Sequence, residues 1–284
     1  MGKTGLVLEG GAMRAIYTAG VLDVFMEEGI TFDGVIGVSA GAIHGCSFVT
    51  NQKGRNIRYY KKYSRDKRFM SFWNLLTTGD IVGEQFCYHE LPDVLDPVDH
   101  DAFEKSNTEF YVGCTNLETG KAEYPKITDL RKQIDLIRAS ASMPYVSHKV
   151  SYDGNLYLDG GCADSIPVDA FAKMGFDRQI VVLTRDASYK KEPENTMLAK
   201  LMYRKYPKFV KDLENRHKKY NHQREQIARW EEKGYIYVIR PSEELNIGRM
   251  EKDPEELQRI YDIGVKDAKE HIEEVKAYLA GKEK

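Results

Sequence analysis

Apolar positions fall into two patterns along the chain. Short unbroken runs bounded by glycine read as buried strands, and stretches with three-to-four-residue spacing read as helices. "TGLVLEGG" (4–11) is a strand that ends in glycines. "RAIYTAGVLDVFMEEG" (14–29) carries Ile16, Ala19, Val21, Leu22, Phe25 and Met26 at helical spacing, and Gly29 stops it. "FDGVIGVS" (32–39) is a second buried strand, followed by the small-residue helix "AGAIHGCSFVT" (40–50). "NTEFYVGCTNL" (107–117) is a strand that continues into a hairpin across "ETGKAEY". "TDLRKQIDLIRASASMP" (128–144) is a helix ended by Pro144, and "SYDGNLYLDGG" (151–161) a hairpin around Asp153 and Gly154. "RQIVVLTRD" (178–186) and "YIYVIRPS" (235–242) are two more buried strands.

A helical segment over 194–233 precedes the last strand, and a C-terminal helix spans 254–280. That helix opens at Asp253 with Pro254 in its first turn and Glu256 three residues after the cap. Leu257, Ile260, Tyr261, Val265, Ala268, Ile272, Val275 and Leu279 form its apolar stripe, through Gly264. Strands alternating with helices predict an α/β fold with a mostly parallel sheet between helical layers. One domain over 1–284 is expected, since no repeat or low-complexity linker divides the chain.

Composition narrows the class. The 284 residues are 42% hydrophobic and 30% charged, which suits a packed core. A net charge of −2 argues against nucleic acid as a partner. The N-terminus lacks a signal-peptide pattern, and Leu6 stands where a myristoylation motif needs Ser or Thr. Cys46, Cys87, Cys114 and Cys162 lack C-x-x-C spacing, so they read as buried thiols rather than zinc or redox ligands. A cytoplasmic location is expected.

The candidate chemistry begins at Gly37-Val38-Ser39-Ala40-Gly41, a serine between glycines at a strand end. Glycines allow the sharp strand-to-helix turn that lifts a nucleophile clear of a sheet. Free N–H groups at the helix start favour a developing alkoxide. The competing reading is a tight turn with Ser39 as N-cap. Gly10 and Gly11 close the first strand, where a glycine loop can aim N–H groups at an oxyanion. The dinucleotide pattern G-x-G-x-x-G and the phosphate-loop pattern are both absent. Asp159-Gly160-Gly161 places an acid at another strand end; alone it is equally an Asp-Gly turn.

A serine hydrolase triad would end on a histidine. His217 and His222 lie in a charged helical stretch, and His271 lies off the apolar stripe of the last helix. His44 sits on the helix leaving the serine turn, and His89, His100 and His148 lack a supporting motif. The base is therefore expected not to be histidine.

Glycine loop, G-x-S-x-G and D-G-G, in that order at strand ends, resemble the patatin-like phospholipases, and "ASASMPYV" (139–146) is similar to the segment ahead of that family's D-G-G motif. The resemblance covers roughly 5–185, and 235–280 is similar to the tail of a bacterial branch. It implies a three-layer α/β/α fold and a Ser–Asp dyad, with no metal and no cofactor. Carried over, Ser39 is the nucleophile and Asp159 the base. Gly10, Gly11 and Ala12 form the oxyanion loop, Arg14 matches its basic, substrate-binding position, and Gly37, Gly41, Gly160 and Gly161 are motif glycines. The family loop has a third glycine where Ala12 stands and another at Ala15, and Ala12 cannot adopt positive φ cheaply. Glu9 either pairs with Arg14 or points to the surface. The implied activity is hydrolysis of fatty-acyl esters of phospholipids, lysophospholipids or related lipids through an acyl-enzyme. Transfer to another alcohol by the same dyad, a triad with a distant histidine, and a lipid-binding protein with little turnover are the alternatives.

Residues 53–68 hold eight Lys and Arg against Asp66, and "FMSFWNLL" follows directly. Two readings stand for 53–76: a basic, aromatic patch that brings the cleft to an anionic membrane surface, or a solvated helix whose tyrosines and Trp73 pack on the core.

Overall fold

The protein is described by a computed structural model over residues 2–281; Met1 and 282–284, which the expected single domain includes, lie outside the described residues. Strand β1 (Thr4–Leu8) leads through Ala12–Ala15, a single 3-10 turn, into α1 (Ile16–Glu27). Gly29 ends that helix at φ 66, where Ile30 N–H closes on Phe25 O at 2.9 Å. Then come β2 (Gly34–Val38), α2 (Ala40–Val49), α3 (Arg55–Tyr63) and α4 (Phe72–Thr78). A π-helix, Phe86–Leu95, precedes α5 (His100–Lys105) and β3 (Glu109–Asn116). β4 (Ala122–Glu123), β5 (Lys126–Ile127), α6 (Ile134–Ala141), β6 (Val150–Tyr152) and β7 (Asn155–Asp159) follow. The chain closes with α7 (Val168–Lys173), β8 (Arg178–Val182), α8 (Met197–Met202), α9 (Pro207–Glu232), β9 (Ile236–Ile239) and α10 (Pro254–Leu279).

The sheet order is β6-β7-β3-β2-β1-β8-β9, with β4 and β5 also pairing with β3. The five strands from β3 to β9 in that order run parallel, and β7, β6, β4 and β5 add antiparallel pairs. This is the α/β architecture expected from the alternating pattern. Period-two alternation sends successive side chains to opposite faces. Leu6, Leu8, Val35, Val112 and Val182 join the side chains of α1, α2, α6 and α10 on one face. Val7, Ile36, Val181 and Val238 meet Phe171 of α7 and Tyr220 and Ile227 of α9 on the other. Two helical layers thus enclose the sheet.

The segment expected over 194–233 is α8 and α9, and the C-terminal helix begins at Pro254 as expected, with Asp253 accepting from Glu255 N–H. The helix expected to run to Pro144 ends at Ala141 instead; Ser142 is extended and its carbonyl takes the Asp159 N–H at 2.8 Å. α1 and α10 cross where two glycines face each other's backbone. A Cβ on Gly20 would stand 2.2 Å from Tyr261 O, and one on Gly264 2.1 Å from Tyr17 O. Tyr17 Oη and Ser242 N–H donate to Asp267 beside that crossing.

Each reading of 53–76 holds in part. Tyr59, Tyr60, Tyr63 and Phe69 are core residues. The basic side chains are mostly held within the chain: Lys53 with Glu27, Arg55 and Arg58 with Asp96, Arg65 with Asp253, Arg68 with Asp66 and Glu90. A free basic patch is therefore not what this segment presents. Trp73, expected to pack on the core in the second reading, is instead exposed with Phe72 and Leu76 on α4. Among the described residues no helix is long and apolar enough to cross a membrane.

Candidate active site

β1, β2 and β8 are parallel neighbours with β1 between the other two, and the connections leaving β1 and β8 run to opposite faces of the sheet, to α1 and to α9. The crevice outside the carboxyl ends at such a point is where α/β sheets bind ligands. The three strands there deliver Glu9-Gly10-Gly11, Ser39, and Thr184-Arg185.

Ser39 sits between β2 and α2 at φ 56, ψ −127, a backbone region that non-glycine residues rarely enter. Its side chain makes no capping hydrogen bond, so the N-cap reading does not hold. The turn closes because Gly37 and Gly41 lack Cβ: one on Gly41 would lie 2.5 Å from Leu8 O. The strained residue is pinned by its own amide. Ser39 N–H donates to Ser140 Oγ at 2.9 Å, and Ser140 Oγ–H donates to Gly113 O at 2.6 Å. Ser140 lies in the "ASASMP" stretch, and its role was not read from the sequence.

Asp159 ends β7 and is 6% exposed. Burial raises its carboxyl pKa above the ordinary value. The nearby Ser39 hydroxyl opposes that shift, as do the Arg216 charge and the Gly161 N–H, which donates to Oδ1 at 2.8 Å. Asp159 therefore serves the local turn and faces the serine. Gly160 lets the turn sit against β3: its Cβ would be 2.1 Å from Gly113 O. Arg216 of α9 braces the same turn by donating from Nε to Gly161 O at 2.6 Å.

The glycine loop lies against the serine. A Cβ on Gly10 would stand 2.8 Å from Ser39 Cβ, and one on Gly11 2.8 Å from Thr184 Oγ1. The N–H groups of Gly10 and Gly11 find no acceptor among the described residues. Ala12 does adopt positive φ, 49°, despite its Cβ. Glu9 follows neither expectation: it is buried, and Thr184 N–H donates to Oε2 at 2.6 Å while Tyr220 Oη–H donates to Oε1 at 2.6 Å. An acceptor was needed there because the Thr184 N–H lies beyond β8's last paired residue, Val182. Arg14 is near Glu9 but forms no ion pair with it.

Among the described residues no histidine hydrogen-bonds to Ser39 or Asp159. His44 is fully buried edge-on to Tyr60, which pushes its pKa down to about 4. His271 bonds to Tyr237 Oη, and His148 to Thr78 O. Burial pushes the thiols of Cys46 and Cys162 up to about 12, which leaves them protonated and inert.

Two cavities meet at Ser39, sharing Ala12 and Met143 in their walls. One, of about 530 Å³, is chiefly apolar and includes Ile43, Tyr60, Phe69, Leu91 and Ile137. The other, of about 260 Å³, holds Asp159 and the glycine loop together with Arg14, Arg185, Lys191, Arg216 and Arg249. Of that cation set only Arg14 was singled out from the sequence. The others come from β8's end, from α9 and from two loops, so no local pattern marks them.

The sequence profile described as patatin-like phospholipase matches residues 6–172, and one described only as a domain of unknown function (DUF6363) matches 206–280. The uncharacterized protein YjjU of Escherichia coli (strain K12) is 31% identical over 188 residues, 64% of this chain and 52% of that protein. Lysophospholipase NTE1 of Meyerozyma guilliermondii is 28% identical over 60% of this chain and 12% of its own length. Lysophospholipase nte1 of Aspergillus niger is 29% identical over 62% and 11%. The chain thus spans about half of YjjU and about a tenth of these lysophospholipases. The crystal structure of VipD from Legionella pneumophila aligns over 96% of this chain and 67% of that one, at 12% identity and a TM-score of 0.47, too distant to carry an argument.

Proposed function

The chain belongs to the patatin-like phospholipase family, and from that premise we propose that it is a serine acyl hydrolase. It cleaves fatty-acyl esters of phospholipids, lysophospholipids or related lipids through a Ser39–Asp159 dyad. The observation that carries this reading is a serine on a strained turn beside a buried carboxylate of raised pKa, both in the wall of one cavity. An ordinary aspartate is a weak base at neutral pH, and burial moves it toward the useful range. Asp159 takes the Ser39 proton as the oxygen attacks the ester carbonyl. The free N–H groups of Gly10 and Gly11 receive the charge that develops on the carbonyl oxygen, with Ala12 completing the loop. Collapse expels the alcohol, which takes the proton from Asp159. A water then attacks the acyl-enzyme, Asp159 accepting its proton and passing it to Ser39 Oγ as the bond to the acyl group breaks and the fatty acid leaves. The apolar cavity beside Ser39 suits the fatty-acyl chain.

Phe69 and Met70 line that cavity, and the exposed Phe72, Trp73 and Leu76 follow them directly on α4. This apolar face, rather than the internally paired basic residues, is the proposed point of contact with a lipid surface. The deciding experiment for the enzyme is fluorophosphonate labelling with mapping of the modified peptide. Labelling at Ser39, lost in Ser39→Ala together with ester hydrolysis, is expected. Hydrolysis that survives in Ser39→Ala refutes the reading.

A further inference from the structure

Residues 206–280, matched only by a domain of unknown function, contain α9. The match that shows the family ends at 172. Yet Leu213, Arg216 and Tyr220 of α9, and Arg249 of the loop before α10, line the cavity that holds Asp159 and the glycine loop. Packing fixes α9 there. Phe209, Val210 and Leu213 gather with Leu158 and Cys162, which lie on either side of the D-G-G turn. Tyr220 and Ile227 join Val7 of β1 and Ile36 of β2.

Arg216 and Tyr220 stand four residues apart, so they share one face of the helix, about 6 Å apart along its axis. Each serves a different turn. Arg216 Nε donates to Gly161 O at 2.6 Å, and Gly161 N–H donates to Asp159 Oδ1 at 2.8 Å. Tyr220 Oη–H donates to Glu9 Oε1, and Thr184 N–H donates to Glu9 Oε2, each at 2.6 Å. Thr184 Oγ1–H in turn donates to Gly10 O at 2.9 Å. One helix face therefore grips the turn of the base directly and the oxyanion loop through Glu9 and Thr184. It fixes the spacing between two groups that must meet the same ester, and a small misplacement of either is costly in rate.

Charge acts beside placement. Burial works against the ionised form of Asp159. The groups that favour its carboxylate are the Ser39 hydroxyl, the Gly161 N–H, and the cations Arg216 and Arg249, of which Arg216 acts more strongly. Cys114 of β3, Cys162 after the turn and Tyr88 of the π-helix also lie near it, but burial raises all three pKa values and keeps them uncharged. Tyr220 is held protonated by burial and by the Glu9 carboxylate, so it remains a donor throughout the working pH range. Loss of Arg216 should thus alter the pH dependence of the reaction, and loss of the Tyr220 hydroxyl should not.

We propose that α9 carries the positioning residues of the active site: Arg216 holds the Asp159 turn and supports the carboxylate's charge, and Tyr220, through Glu9 and Thr184, holds the oxyanion loop. The stretch 206–280 is then a working part of the enzyme rather than an appended unit. The proposal rests on Ser39 and Asp159 being the reacting pair.

The test follows butyrate release from p-nitrophenyl butyrate by the full chain across a range of pH. Arg216→Gln can still donate to Gly161 O but carries no charge. It is expected to lower kcat by about tenfold or more and to move the acid limb of kcat/KM to higher pH, because a carboxylate without its cation protonates more readily. Arg216→Lys keeps the charge without the planar fork; its limb stays near the wild-type place while kcat falls. Tyr220→Phe lowers kcat by about tenfold with KM and the limb unchanged. Thermal unfolding checks that each variant is folded, and the two conservative variants decide the matter should Arg216→Gln not fold. A limb that stays put in Arg216→Gln, or wild-type kcat in Arg216→Lys or Tyr220→Phe, overturns the proposal. Ser39→Ala reports separately: turnover that survives there fails the serine hydrolase reading, whereas turnover lost there but kept in the Arg216 and Tyr220 variants fails this inference alone.

Discussion

Replacing Ser39 by glycine and by alanine separates backbone strain from the loss of the hydroxyl. Both variants lack a nucleophile, so both are expected to be inactive. They differ in Cβ, which is what makes φ 56, ψ −127 unfavourable for serine. Holding a non-glycine residue in so sparsely populated a region costs about 1–3 kcal/mol. Alanine keeps that strain and glycine releases it. Glycine also loses more conformational freedom on folding, about 0.5–1 kcal/mol relative to alanine at an ordinary site. The difference leaves Ser39→Gly more stable than Ser39→Ala by about 1 kcal/mol, the reverse of the usual order. In a chain of this size that is a rise in Tm of roughly 2 °C. Urea denaturation of the two variants side by side measures it, with fluorophosphonate labelling confirming that both are silent. A Ser39→Gly protein less stable than Ser39→Ala by the ordinary glycine penalty would falsify the claim that the turn stores strain.

Three further outcomes are expected. Asp159→Asn lowers turnover by about 10³-fold yet is at least as stable as the wild type at pH 7. The sign follows from its raised pKa: the folded state holds the Asp159 proton more tightly than the unfolded state, so stability falls as pH rises through the folded pKa, and the stability advantage of asparagine shrinks again in acid. Wild-type kcat/KM declines in acid as Asp159 protonates, with a midpoint above the ordinary aspartate value; a midpoint at or below it contradicts the assignment. Gly10→Ala forces its Cβ and that of Ser39 apart from 2.8 Å and is expected to lower kcat by about 10–10²-fold with little change in KM, so steady-state kinetics near wild type would make the loop a simple turn. Phe72→Ser/Trp73→Ser/Leu76→Ser is expected to reduce co-sedimentation with lipid vesicles while p-nitrophenyl butyrate is still cleaved; unchanged sedimentation removes α4 as the contact.

Much of the α/β order was legible because buried strands and amphipathic helices leave unbroken or periodic apolar runs. Ser39, Asp159 and the glycine loop were legible for another reason: each is a strand-end residue flanked by glycines that the close approach of neighbouring backbone requires. What escaped was chemistry assembled across the chain. Glu9 reads as an oddity beside an oxyanion loop until Thr184 and Tyr220, 175 and 211 residues away, turn it into a structural acceptor. Ser140 reads as a small helical residue until its hydroxyl meets Ser39 N–H, 101 residues away. The charge run over 53–68 misled because its partners, such as Asp96 and Asp253, lie outside it.

The crossing of Gly20 with Gly264 also bears on how the chain comes to be folded. It ties the first helix to the last, and β1, buried in mid-sheet, needs β8 for one of its two neighbours. Domains commonly fold from the N-terminus as they are synthesised. Here the side of α1 that packs on α10 has no cover until nearly the whole chain has emerged. The serine turn, built early, rests on a layer completed late. Such non-local contacts slow folding and prolong exposure of unsatisfied surface. Protease protection of α1 in stalled nascent chains is accordingly expected only once α10 is free to dock, which makes the C-terminal region the step that commits the chain to its fold.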